Sequence, residues 1–166
     1  MVTPLLALWT VLAAQAPPLP PPDTAAEARL GAAVRAFVDS LGAVQAAAAA
    51  FRADLGAASG DLVLARARRL HVRCAAARRS ARPLAALFES RAREGRPSAA
   101  EGDARRDLAE LERVLARCER DYDVAAPAAD PDTLKAWGPY RTDLLQSDLR
   151  RHAHSVEIFV KSTGKR

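Results

Sequence analysis

An all-α fold, an up-down-up-down bundle of four helices, is what this chain predicts, and three observations carry it. Apolar positions alternate in four-three steps through three long stretches, short turns separate the first three stretches, and the only two cysteines flank one turn symmetrically. The chain has 166 residues and 49% hydrophobic content, enough for one domain with a real core. Aromatics are only 5%, so that core must be mostly Ala, Leu and Val. Ala, Leu and Arg lose little rotamer freedom on a helix, which reinforces the helical reading.

The order of segments begins with MVTPLLALWTVLAAQA, whose apolar run is too short to cross a bilayer and reads as a secretory signal peptide over 1–14. No Lys or Arg precedes the run, and cleavage is expected after Ala13 or Ala14. A proline-rich spacer, 15–22, follows and cannot be helical. The bundle domain is expected over 23–160, with a basic tail at 161–166. No stretch after the leader reads as long or apolar enough to span a membrane, so the mature chain is expected to be soluble.

Asp23 is placed to cap a first helix whose apolar seam is Leu30, Val34, Phe37, Leu41, Val44, Ala48, Phe51 and Leu55. Its run Ala46 to Ala50 thins the helix surface and lets a partner backbone come close. Gly56, Ser59 and Gly60 punctuate its end. Asp61 is the expected cap of a second helix with seam Val63, Ala67, Leu70, Cys74, Ala77, Ala81, Leu84 and Phe88. Pro83 predicts a kink near Ser80 to Arg82 and not a break, because the seam stays in phase beyond it.

After the turn Gly95-Arg96-Pro97, Ser98 and Glu101 match a capping box, and the third helix continues through Ala104, Leu108, Leu111, Leu115, Cys118 and Tyr122. Residues 124–132 read as a loop. The last segment is expected to start near Thr133, break at Gly138-Pro139 and resume with Leu145, Leu149, His152, Val156 and Phe159, as a shorter and more polar C-terminal helix. A three-helix coiled assembly with a loose C-terminal helix is the alternative. The β-branched residues and Gly164 leave the tail open between helix and strand.

Cys74 lies 22 residues before position 96 and Cys118 lies 22 after it, so helices folded back at that turn bring them level. In an exported protein the pair is expected to oxidise; two buried thiols are the alternative. A redox-active pair is disfavoured by the wide spacing.

The net charge is +5 and is unevenly spread: residues 61–96 hold ten Arg against three acids, and residues 97–130 hold five Arg against nine. One reading is that the basic second helix and acidic third helix neutralise each other across the hairpin. The functional reading is a cationic stripe of Arg66, Arg69, Arg73, Arg78, Arg79 and Arg82 that binds an anionic envelope component or an acidic protein. Nucleic acid is not expected as a partner, since no binding motif is present and stacking aromatics are scarce.

Catalytic and cofactor signatures are missing from the sequence: there is no C-x-x-C-H, no H-E-x-x-H and no E-x-x-H pair. Gly-Ala-Ala-Ser-Gly around Ser59 follows a helix, so it is a turn and not a nucleophile elbow. His71 and His152 could in principle face each other and hold haem or a metal, the weak alternative to a bundle without cofactor. The chain also lacks the haem motif of the four-helix cytochromes c and the repeated L-T-x-x-Q of small envelope-stress chaperones. It resembles trimeric periplasmic chaperones only in charge and helicity, and no family is close enough to claim. The expectation is an exported, non-enzymatic, disulfide-stapled bundle, periplasmic or secreted, that acts by binding and could self-associate. A haem or small-molecule carrier and a purely structural spacer are the alternatives.

Overall fold

The computed structural model describes residues 24–56, 59–95, 98–125 and 129–163. The expected leader, the proline spacer, the Asp23 cap, Arg96-Pro97 and the tail from Gly164 lie outside them. Four helices account for the secondary structure of the described residues: α1 (Thr24–Asp54), α2 (Gly60–Arg93), α3 (Ala99–Asp121) and α4 (Pro131–Thr163). Each packs against its neighbour in sequence and α4 closes on α1. The ring is an up-down bundle in which α2 and α4 also meet across the diagonal.

The four-three seams form the core. All eight seam positions named on α1, all eight on α2 and all six on the third helix through Tyr122 are buried. Arg66 pairs with Asp54 and Arg91 with Glu27, and this register sets Phe37 level with Ala81 and Phe51 level with Ala67. Large side chains on one helix therefore meet small ones on the next, which is how an alanine-rich seam reaches interior density. Apart from the central Phe37, the buried aromatics pair at the two ends of the bundle. Phe88 meets Phe159 edge-on at 5.2 Å at one end, and Phe51, Tyr122 and Trp137 form a chain with centroids 5.1 and 5.6 Å apart at the other.

Cys74 and Cys118 are joined as a disulfide, with their Cα atoms 6.1 Å apart. The symmetric placement about the turn has this simple origin: equal rise on two antiparallel helices brings equal offsets to one level. Gly95, at φ +82°, ends α2 in the left-handed conformation that glycine adopts without a Cβ penalty.

Three local expectations are corrected. The cap of α2 is Ser59, whose hydroxyl accepts from the Leu62 amide at 3.4 Å, and Asp61 lies in the first turn. The Ser98 hydroxyl does accept from the Glu101 amide at 3.2 Å, but the Glu101 carboxylate is directed to Arg91 across the turn. The largest correction is α4. It starts at Pro131 behind an Asp130 cap, runs unbroken through Gly138-Pro139, and at 33 residues is longer than α3 at 23.

Glycine eases the continuity. A residue before proline avoids the helical region because its Cβ and amide meet the proline ring, and Gly138 has no Cβ. The same absence allows close packing, since a Cβ there would stand 3.0 Å from both Phe51 and Leu55. Gly138 is thus a buried seam position between Leu134 and Thr142. Further along, the seam passes through Ala153, and His152 is half-buried beside it. Pro83 likewise lies within a continuous α2 whose seam stays buried on both sides.

Among the described helices, α1 is long and apolar enough to cross a membrane, contrary to the expectation that no such stretch follows the leader. Its alanines raise the average, whereas its larger apolar side chains are committed to the core.

Candidate anion-binding face

The outward surface of α2 is set by its seam: with Val63, Ala67, Leu70 and Cys74 turned inward, positions 68, 69, 72 and 79 fall on the far side. The six arginines named from the sequence do not form one stripe. Arg66 Nε donates to Asp54 at 2.6 Å and ties α2 to α1. Arg78 Nη1 donates to Glu119 at 3.0 Å and ties α2 to α3. Arg69, Arg73, Arg79 and Arg82 are exposed, and none of them makes an ion pair among the described residues.

Two further arginines, Arg68 and Arg93, are exposed and unpaired in the same way. The signal that finds Arg68 is positional, because it falls on the side of the helix turned away from the seam.

The acids of α3 do not neutralise this face. Glu101 pairs with Arg91 and Glu119 with Arg78, but Asp121 pairs with Arg141 and Asp107 with His152 on α4, and Asp103 and Glu110 pair with Arg106 and Arg113 on α3 itself. Among the described residues, two ion pairs therefore cross from α3 to an arginine of α2. The helix's own acids, Asp61, Glu89 and Glu94, stand near its ends. Between α2 and α3 a shallow groove of about 430 Å³ is floored by Ala109 and Ala116 and rimmed by Arg78, Arg82 and Arg113, with Glu112 as the one acid. The short alanine side chains open the groove.

Exposed aliphatics interrupt the charge. Leu62 is 41% exposed and Val72 is 53% exposed, both on α2. The face is therefore cationic with two separate exposed aliphatic side chains, a feature that charge counting alone does not reveal.

The histidines are held separately. His71 Nδ1 donates to the Glu119 carbonyl at 2.8 Å, and His152 Nδ1 lies 2.8 Å from the Asp107 carboxylate. Their partners are twelve residues apart on α3, which separates the two rings by about 18 Å along the bundle axis. The two rings therefore do not face each other in the way the bis-histidine alternative requires. Among the described residues no group of three His, Cys, Asp or Glu side chains converges. Burial disfavours ionisation of Asp107, but hydrogen bonds from Ser155 and His152, with the charges of His152 and Arg106, outweigh it and hold its pKa below the usual carboxylate value.

At the far end of the bundle, a cleft of about 270 Å³ lies between the C-terminus of α3 and the start of α4, with Trp137 in its wall. Arg141 stacks 5.8 Å from the Trp137 ring and donates to Asp121 at 3.1 Å, so this cluster satisfies its own charges.

Fold and surface together define a disulfide-stapled four-helix bundle with one cationic helix face. Comparison with family models, with curated proteins and with solved structures gave no match.

Proposed function

We propose that this is an exported, non-enzymatic binding protein whose α2 face engages an anionic partner. The observation that carries the reading is the set of exposed arginines on α2 that make no ion pair among the described residues, while the ion pairs from α3 acids to α2 reach only Arg78 and Arg91 there. Arginine side chains held on a rigid helix suit multivalent contact with carboxylates or phosphates, since each guanidinium offers a planar fork of donors. Export is supported by the disulfide, which persists in oxidising compartments, together with the apolar N-terminal run. The bundle acts as scaffold and the helix surface as the contact.

The test is retention on an immobilised polyanion as salt is raised, comparing the native chain with a variant carrying Arg69→Gln, Arg73→Gln, Arg79→Gln and Arg82→Gln. All four side chains are exposed, so the fold should tolerate the changes. The variant is expected to elute at markedly lower salt. Equal elution would sink the binding reading and leave the α2 face as solvated surface on a structural spacer.

A further inference from the structure

We infer that the anionic partner of the α2 face is a lipid bilayer surface, an assignment that rests on the binding reading above and names its ligand class. The exposed line of α2 carries Leu62, Arg69, Val72, Arg79 and Pro83 at steps of seven, three, seven and four, which keeps them along one side of the helix. Arg68 and Arg82 border that line toward α3, and Arg73 borders it toward α1. The side opposite the core therefore has a second pattern, with Leu62 and Val72 among guanidinium groups on the crest and on both flanks, and Asp61 as the acid at its start.

Three properties point to a membrane rather than to a compact anion. The first is extent: from Arg68 to Arg93 the unpaired charges span about 37 Å of a straight element, far longer than any single phosphate or carboxylate ligand. Next comes shape, because the crest of the face belongs to one helix and is convex, so it can lie against a flat surface, and the groove beside it at Arg82 is shallow and carries the acid Glu112. The third is the aliphatic pair. Leu62 at 41% and Val72 at 53% exposure offer apolar surface where the arginines reach headgroup phosphates. A polyanion such as a nucleic acid backbone would gain from the arginines but nothing from Leu62 or Val72.

Two aliphatic side chains give shallow immersion, so association should be reversible and should require anionic lipid. The stems of the arginines add to it, since long side chains lie along apolar material while their heads stay at phosphate level. No part of the hairpin needs to open. The seam remains packed, and the disulfide keeps α2 fixed against α3 while α2 lies on the surface.

The experiment is co-sedimentation of the purified full chain with vesicles of phosphatidylcholine alone and of phosphatidylcholine with 30% phosphatidylglycerol. Parallel measurements use the immobilised polyanion and a duplex DNA. Binding is expected only with the anionic vesicles, falling about fivefold for each arginine replaced among Arg69→Gln and Arg79→Gln. The pair Leu62→Ser and Val72→Ser should lower vesicle binding severalfold and leave polyanion retention unchanged. Retention on the polyanion without vesicle binding would overturn the lipid assignment and keep the anionic reading. Loss of both would overturn both. Vesicle binding indifferent to Leu62 and Val72, or matched by the duplex, would also overturn it and assign a general polyanion instead.

Discussion

Gly138 shows how one missing methyl group sets the path of a helix. It sits in the seam of α4, where an added Cβ would stand 3.0 Å from both Phe51 and Leu55, and it precedes Pro139. Alanine has the higher intrinsic helix propensity, by about 1 kcal/mol. At this position that gain is opposed by overpacking against two core side chains and by the restriction on residues before proline. Gly138→Ala is expected to lower stability by about 1–2 kcal/mol in thermal unfolding. A stabilised variant would mean that the Phe51 ring gives way freely.

A turn further along, Thr142 Oγ1 donates to the Gly138 carbonyl at 2.6 Å, and Tyr122 OH lies 2.9 Å from the same Thr142 oxygen. With the threonine proton committed to the carbonyl, the tyrosine must be the donor, so its phenol has to stay protonated. Burial pushes the Tyr122 pKa up to about 12, with the charge of Asp121 adding to the rise; the bond to Thr142 and the charge of Arg141 oppose it only in part. In the unfolded chain the phenol ionises near 10.0, so the stability it contributes is complete below pH 10.0 and is lost as pH climbs toward about 12. Tyr122→Phe should cost about 1 kcal/mol at neutral pH and flatten the alkaline fall in stability relative to the native chain. Equal alkaline slopes for the two proteins would rule this out.

At the scale of elements, the junction of α2 with α3 is held by more than the turn. The Glu101 side chain is only 5% exposed, and Arg91 reaches it at 3.1 Å while also lying 3.7 Å from Glu27 on α1. One guanidinium therefore links three helix ends. Arg91→Ala would leave a buried carboxylate without its cation and is expected to cost about 3 kcal/mol in denaturant unfolding. Glu101→Gln keeps a hydrogen-bonding group in place and should cost less. The opposite ranking would show that Arg91 serves only as surface charge.

Much of this architecture was legible from the chain because it rests on periodicity. Leu30 through Leu55 and Val63 through Phe88 are buried wherever the four-three steps put them. The misreadings share one physical source. At Gly138-Pro139 two helix breakers stand in an interior, and only the third dimension reveals that Phe51 and Leu55 need the space. For Arg66 and Arg78, the sequence shows the charge but not Asp54 or Glu119 across the interface. Leu62 and Val72 are hard to single out in the sequence, because the strong periodicity of the buried seam hides a weaker pattern on the opposite side of the same helix.

For the molecule as a whole, the Cys74–Cys118 bond closes a loop of 44 residues between two helices that are already neighbours. In the chain-entropy account a loop of that size contributes roughly 4 kcal/mol by restricting the unfolded chain. Reduction and alkylation should therefore lower the melting temperature by roughly 10 °C while the far-ultraviolet helical signal is retained at lower temperature, because the seams do not depend on the bond. A reduced protein with an unchanged midpoint would assign the bond no role in stability.

That bond has another consequence, for a chain that has been cut. The turn between α2 and α3 lies within the loop the disulfide closes, and Arg93 beside it is exposed. A trypsin-like enzyme hydrolysing the backbone there would yield two pieces that remain covalently attached through sulfur and interlocked through their seams. Such a nicked molecule would migrate intact without thiol and separate into two bands with it. Damage at the exposed end of α2 would then leave the cationic helix in place.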